Sequence, residues 1–189
     1  MIEKNVYHKL NDYIKASGDL AVKLYKEDIE AALRTKDFGG FELLSLSDYT
    51  GQSTATVGIL DVFYESKGLI SHDEFKNFAG EAVPLFKAKR IFKNTDTLEA
   101  ELDLYDFGEK KINNPVYNLT VQNGKQVFYK TSTIESKVSI PLNSITKSTM
   151  LSVILEVNGY KNTWRIFVFG ENKICLLYTS DAADDMQCV

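Results

Sequence analysis

The chain has 189 residues, of which 44% are hydrophobic and 25% are charged. This is an ordinary globular composition, the length suits one or two small domains, and no apolar run reaches the roughly 18 residues of a membrane-spanning helix. The formal charge of -4, which falls to -1 if the three acids of residues 175–189 are left out, gives no electrostatic argument for a nucleic acid or a membrane as partner.

The first third of the chain predicts helices, because its apolar residues recur at three- and four-residue spacing. They are Val6, Leu10, Tyr13 and Ile14, then Leu20, Leu24, Ile29, Ala32 and Leu33. Ser17-Gly18-Asp19 predicts a break between the two sets, and Gly39-Gly40 predicts the end of the second helix. The charged residues between the apolar ones are interpreted as a solvated face: Lys26, Glu27, Asp28, Glu30, Arg34 and Lys36.

Two short apolar runs follow these helices. Phe41 to Leu46 suits a buried parallel strand, and Val57 to Phe63 suits a strand or a helix. A helix followed by a buried strand is typical of an α/β unit. Asp48 ends the first run beside Tyr49, where a barrel enzyme places active-site groups, although a turn-capping role for Asp48 is equally open.

The period changes in the second half of the chain. Leu98 to Tyr105 alternates between apolar and polar residues, which predicts a half-buried strand. Asn123-Gly124 lies between two apolar segments and predicts a type I′ hairpin, and further turns are predicted at Asn158-Gly159 and Lys161-Asn162. About seven short strands between Phe86 and Phe169 favour an Ig-like sandwich. Trp164 and Phe167 or Phe169 are expected in its core.

The segment from Cys175 to Val189, CLLYTSDAADDMQCV, differs from the rest of the chain. Its first residues resemble the translation of a transposon-end sequencing adapter, and we treat the segment as non-native rather than as a native acidic tail. Both cysteines, Cys175 and Cys188, lie in it. The remaining residues therefore predict neither a disulfide framework nor a cysteine-based metal site.

Motifs that carry chemistry are sparse. The two histidines, His8 and His72, lack partners at metal-ligand spacing, and neither a GxxxxGK[ST] nor a GxGxxG loop is present. Gly51 to Ala55 approximates the G-x-S-x-G elbow of esterases around Ser53, with Asp61 and His72 following in hydrolase order. The fifth position is Ala, and the two partners lie very close in sequence, so an esterase is the third of three hypotheses.

Three strings carry a resemblance to a known family: YKEDIEAALRT (Tyr25 to Thr35), GGFELLSLSDYTGQ (Gly39 to Gln52) and VGILDVFYESKG (Val57 to Gly68). Together they resemble one region of the family-2-type glycoside hydrolases of gut bacteria, which include β-galactosidases, β-glucuronidases and β-mannosidases. The resemblance extends from about Tyr13 to Phe169. It implies that Phe41 to Asp48 is the eighth strand of a catalytic barrel and that Val83 to Gly108 begins an Ig-like domain.

The same resemblance implies the site residues. The two catalytic glutamates of the family would precede Met1, so no catalytic residue is expected in this chain. Asp48, Tyr49 and Gln52 match a loop that faces the sugar and are expected to bind substrate. The chain departs from the family pattern at Ser47, where His is common, and at Thr50, where Pro is common.

The sequence thus predicts a multidomain fold, a partial (β/α)8 barrel (last helix and strand) followed by an all-β Ig-like sandwich. The predicted divisions are 1–72 barrel, 73–85 linker, 86–174 sandwich and 175–189 non-native tail. The predicted function is part of a retaining exo-glycoside hydrolase for β-linked sugars, from a periplasmic or secreted parent. No metal, cofactor, nucleic acid or membrane segment is expected. The alternative is a non-catalytic Ig-like module that binds carbohydrate or protein.

Overall fold

The computed structural model describes residues 7–51 and 57–170. A short 3-10 turn at Tyr7–Lys9 leads into a long helix, α1, and a second helix, α2, precedes eight strands. The helices are α1 (Leu10–Arg34) and α2 (His72–Ala79), and the strands are β1 (Ala82–Lys87), β2 (Ile91–Lys93), β3 (Thr97–Asp106), β4 (Tyr117–Asn123), β5 (Gln126–Thr133), β6 (Lys137–Pro141), β7 (Thr149–Val157) and β8 (Tyr160–Phe169).

The strands form two sheets, with order β1-β3-β6 in one and β2-β8-β7-β4-β5 in the other. Neighbouring strands are antiparallel except β2 and β8, which run parallel. Alternate side chains of β3, β7 and β8 point inward, as the period of two requires. Trp164 is buried in the resulting core as predicted, whereas Phe167 and Phe169 are exposed.

The two tight hairpins differ in turn type. Between β7 and β8, Asn158 and Gly159 both have positive φ (50° and 88°), as a type I′ turn requires. Between β4 and β5, Asn123 pairs with Gln126, so the loop residues are Gly124 and Lys125. The predicted hairpin is confirmed, but only Gly124 has positive φ (55°), so the predicted type I′ turn at Asn123-Gly124 is wrong in its residues and its type. The predicted turn at Lys161-Asn162 is also wrong, because both residues lie within β8.

Helix α1 is continuous across the predicted break at Ser17-Gly18-Asp19. A Cβ atom on Gly18 would lie 2.3 Å from Cδ2 of Leu69, so the glycine permits a close approach rather than ending the helix. At the other end of α1, Ile29 and Leu33 pack in a small core with residues of α2 and β1. The helix is thereby attached to the three-stranded sheet through its last turns.

The predicted partial barrel is wrong. Phe41 to Leu46 forms no strand, and Leu44 is 92% exposed. Residues 36–51 and 57–70 are irregular, with isolated bridges between Ser47 and Leu60 and between Leu60 and Ser66. A buried parallel strand needs hydrogen-bonded neighbours, and an apolar run alone does not supply them. The described chain is instead mostly β-sheet, with one long N-terminal helix and one short helix.

Two other predictions concern the boundaries. The predicted linker, 73–85, contains most of α2 and the start of β1, and the last described strand ends at Phe169. Residues 175–189, predicted to be non-native, lie outside the described residues. Neither helix in the described part of the chain is long and apolar enough to cross a membrane.

Candidate functional site

Asp48 and Tyr49 lie in the irregular segment that precedes α2, whereas Gln52 and Ser53 lie outside the described residues. The segment is held by a short backbone ladder. The amide of Asp48 donates to the carbonyl of Leu60 at 3.0 Å, and the amide of Leu60 donates to the carbonyl of Leu46, also at 3.0 Å. This pairing fixes the chain at Leu46 and Asp48, directly before Tyr49.

The carboxylate of Asp48 is turned into this segment, and its side chain is 9% exposed. Its Oδ1 accepts hydrogen bonds from the amide of Gly58 at 2.9 Å and from Nζ of Lys67 at 2.6 Å. The same Lys67 Nζ donates to the carbonyl of Gly58 at 2.9 Å. Asp48 is therefore bonded to two other positions of the segment, Gly58 and Lys67, and the charged hydrogen bond to Lys67 strengthens this connection.

Gly58 is required by the closeness of this packing. A Cβ atom at this position would lie 2.3 Å from the carbonyl carbon of Ser47 and 2.5 Å from the amide nitrogen of Asp48. Backbone atoms cannot move aside as a flexible side chain can. The contact between Gly58 and the Ser47–Asp48 peptide thus needs glycine.

Tyr49 has the opposite environment, with 61% of the residue exposed. Its ring lies over Gly51, where a Cβ atom would come within 2.3 Å of the ring carbon Cζ. A tyrosine in this position presents an apolar ring and a hydroxyl group to any molecule that approaches. Of the two described site residues, Tyr49 is thus the accessible one, and Asp48 holds the loop.

The two described residues of the esterase hypothesis are Asp61, which lies in a turn, and His72, which begins a helix. Oδ1 of Asp61 accepts from the amides of Phe63 at 2.8 Å and Glu65 at 2.9 Å, which closes a tight turn. His72 is the first residue of α2, directly after the N-cap Ser71. Ser71 and Glu74 form a reciprocal capping box, and the hydrogen bonds from Ser71 lower the pKa of the Glu74 carboxyl.

Sequence analysis missed a buried carboxylate that accepts hydrogen bonds from four side chains. Glu30, on α1, is fully buried, whereas it was predicted to belong to a solvated face. Its Oε1 accepts from Nζ of Lys26 and from Nδ2 of Asn162, the latter at 2.8 Å. Its Oε2 accepts from Nε1 of Trp164 at 2.8 Å and from Nη1 of Arg34 at 3.4 Å. Four donors on two elements, α1 and β8, thus converge on one carboxylate.

Lys26 shares this environment. Its Nζ also donates to Oδ1 of Asn162 and lies 4.8 Å from the ring centroid of Trp164 and 5.4 Å from that of Phe78. Burial lowers the pKa of Lys26, and the negative charge of Glu30 opposes that effect. The ammonium group is therefore held between a carboxylate and two aromatic faces.

A signal for this cluster was present in the sequence. Lys26, Glu30 and Arg34 follow one another at four-residue spacing, so they share a face of α1. Glu30 also adjoins Ile29 and Leu33, which face the small core. A polar residue between core-facing residues, such as Glu30, is a candidate for burial. Its partners on β8 could not be located from helical spacing.

No candidate metal site is found, since the described ranges contain no group of three or more His, Cys, Asp or Glu side chains placed to bind an ion.

In the comparisons with known proteins, a family model described as a domain of unknown function (DUF8488) matches residues 96–170. The match covers β3 to β8 and less than half of the chain. No curated protein matches the chain.

Proposed function

We propose that this chain is an accessory part of a retaining glycoside hydrolase for β-linked sugars, and that the catalytic carboxylates belong to another domain of that enzyme. The resemblance of Tyr25–Thr35, Gly39–Gln52 and Val57–Gly68 to family-2-type hydrolases supports the proposal. One structural observation carries it. Large apolar side chains are exposed on both α1 and the irregular segment that holds Asp48 and Tyr49.

Helix α1 has apolar residues on two opposite sides. Ile29 and Leu33 pack against the sheet side, while Tyr13, Leu20 and Leu24 are exposed. At about 100° per residue these three fall within about 40° of one another and lie roughly opposite Ile29 and Leu33. A helix with a single core-facing side should be polar on the other side. The second apolar stripe therefore supports packing of α1 against a further domain.

The irregular segment adds to this surface. Its exposed large apolar residues are Phe38, Phe41, Leu44, Leu46, Tyr49, Val57, Val62, Phe63 and Tyr64. Isolated exposed apolar residues are normal, but a concentration of them within one short segment is typical of an interaction surface. In the proposed enzyme this surface contacts the catalytic domain and places Tyr49 beside the bound sugar.

The two described site residues have different proposed roles. Tyr49 contacts the sugar with its ring, and Asp48 maintains the loop conformation through Gly58 and Lys67. General acid and nucleophile are both required for retaining hydrolysis, and neither role is assigned to a residue of this chain. The contribution of Tyr49 is therefore to substrate binding rather than to the chemical step.

The test compares this chain with the complete enzyme on a panel of aryl β-glycosides. We expect no turnover by the purified chain and turnover by the complete enzyme. Tyr49→Ala in the complete enzyme should raise KM more than it lowers kcat, and Lys36→Ala, on an exposed residue nearby in sequence, is the control. Turnover by the chain alone that is lost in Ser53→Ala would refute the proposal in favour of an esterase-like site.

The second candidate is a non-catalytic module that binds carbohydrate. The exposure of Tyr49, Phe63 and Tyr64 favours it, because aromatic rings offer flat apolar faces to ligands. Calorimetric titration of the purified chain with β-linked oligosaccharides distinguishes the two. Saturable binding by the chain alone, weakened in Tyr49→Ala, would favour the module.

A further inference from the structure

We infer that α1 couples the loop around Asp48 to the sheets, so that a shift of α1 on the sheets also changes the conformation of the loop. Glu30 is the positioning residue at the sheet end of this connection, and Tyr25 is the positioning residue at the loop end. The mechanical coupling stands on the contacts of this chain. Its consequence for sugar binding rests on the proposed function.

The sheet end of the connection is rigid. Asn162 is 1% exposed, and its Nδ2 donates to the carbonyl of Pro84 at 3.0 Å as well as to Glu30. Its Oδ1 accepts from the amide of Thr163 at 2.8 Å. The amide side chain is thus held by both β1 and β8, and Trp164 fixes the other carboxylate oxygen. Glu30 therefore has one position relative to the sheets.

At the loop end of the connection, the contact is made by Tyr25, which is also on α1. The hydroxyl of Tyr25 donates to the carbonyl of Val57 at 2.9 Å. The next residue, Gly58, donates its amide to the carboxylate of Asp48 at 2.9 Å. Tyr25 and Glu30 are five positions apart on one helix, which corresponds to about 7.5 Å along its axis.

These contacts form one uninterrupted series. It runs from Trp164 and Asn162 through Glu30 and the last turns of α1 to Tyr25, and then through Val57 and Gly58 to Asp48. A helix is stiff over so short a distance, so a shift of α1 on the sheet must also move Val57.

The measurement is amide hydrogen exchange on the chain itself, which needs no enzymatic activity. The reporters are the hydrogen-bonded amides of Asp48, Gly58 and Leu60, compared with those of Val153 and Leu155 in the buried strand β7. We expect Tyr25→Phe to speed exchange of the three loop amides by about tenfold and to leave β7 unchanged, since local opening governs exchange. Glu30→Gln should speed exchange in the loop and in the last turns of α1.

The control is Asp28→Asn, which removes a charge from an exposed position of the same helix. Unchanged loop exchange in either Tyr25→Phe or folded Glu30→Gln would overturn the inference. Equal acceleration in the loop and in β7 for both variants would also overturn it, because Glu30 and Tyr25 would then act only on global stability. If Glu30→Gln fails to fold, Trp164→Phe decides the question, because it removes a donor of Glu30 at the sheet end and makes no change in the loop.

The complete enzyme supplies the separate test of the proposed function. There, Tyr25→Phe should raise KM for an aryl β-glycoside and leave kcat nearly unchanged. Coupled exchange in the chain without any change in KM would establish the mechanical connection and count against the role of the loop in sugar binding.

Discussion

Nε1 of Trp164 donates a hydrogen bond of 2.8 Å to Oε2 of Glu30 and thereby connects the central region of β8 to α1. An indole N–H is only a donor and an ionised carboxylate is only an acceptor, so the pair matches in chemistry as well as in position. Both side chains are buried, at 3% and 0% exposure. Without Glu30 the buried indole N–H would lose its acceptor, and without Trp164 the Oε2 atom of Glu30 would keep only the longer contact from Arg34, at 3.4 Å.

Glu30→Gln tests the whole cluster. A glutamine side chain must turn its NH2 group toward one of the two pairs of donors, so donors would face donors at a buried position. Removing one partner from a buried ionic cluster typically costs about 3–5 kcal/mol. We expect a loss of that size in the free energy of unfolding measured with urea. Asp28→Asn, the exposed control, should change it by less than about 0.5 kcal/mol. Equal stability of the two variants would show that Glu30 is not held as described.

Two substitutions separate the contribution of the Trp164 ring to stability from the contribution of its hydrogen bond. Trp164→Ala removes the contact with Phe86, whose ring centroid is 5.3 Å away, and should cost about 3–5 kcal/mol. Trp164→Phe keeps an aromatic ring but leaves Oε2 of Glu30 without its indole donor, so we expect a smaller loss of about 1–3 kcal/mol. Urea denaturation of both variants measures the difference. A harmless Trp164→Ala would contradict the core assignment.

Gly58→Ala should disturb the Asp48 loop without unfolding the sheets. The added Cβ atom would overlap the Ser47–Asp48 peptide, and the loop would have to open. Gly39→Ala is the matched control, because nothing lies within 4 Å of a Cβ atom at that position. Limited proteolysis should cut the first variant faster within residues 36–70 and leave the second like the parent. Equal cleavage of the two variants would argue against the close contact.

The lowered pKa of Lys26 predicts a pH dependence of stability. Burial holds this pKa below its ordinary value of 10.5 in the folded protein, so the unfolded chain binds more protons between the two values. The contribution of Lys26 to stability should therefore be fully present above pH 10.5 and fall as the pH drops through the folded pKa. Measured against Lys26→Met, the stability difference should increase with pH in that window. A difference that stays flat or decreases there would mean that Glu30 outweighs burial.

Local pattern was sufficient for much of the second half of the chain. The alternation from Leu98 to Tyr105 predicted a strand, and β3 covers Thr97–Asp106. Asn158-Gly159 was recognised as a turn and has two residues of positive φ. Such features depend on backbone sterics and on side chains within a few residues of one another, which a single sequence displays directly.

The tertiary structure alone decided the features that depend on distant partners. Helical spacing placed Glu30 on a face with Lys26 and Arg34, but only the docking of β8 buries that face and supplies Asn162 and Trp164. The apolar run from Phe41 to Leu46 satisfied the pattern of a buried strand, yet a strand exists only where neighbouring chain segments provide its hydrogen bonds. Residue type and spacing determine which face a side chain occupies, and long-range packing determines whether that face meets water or protein.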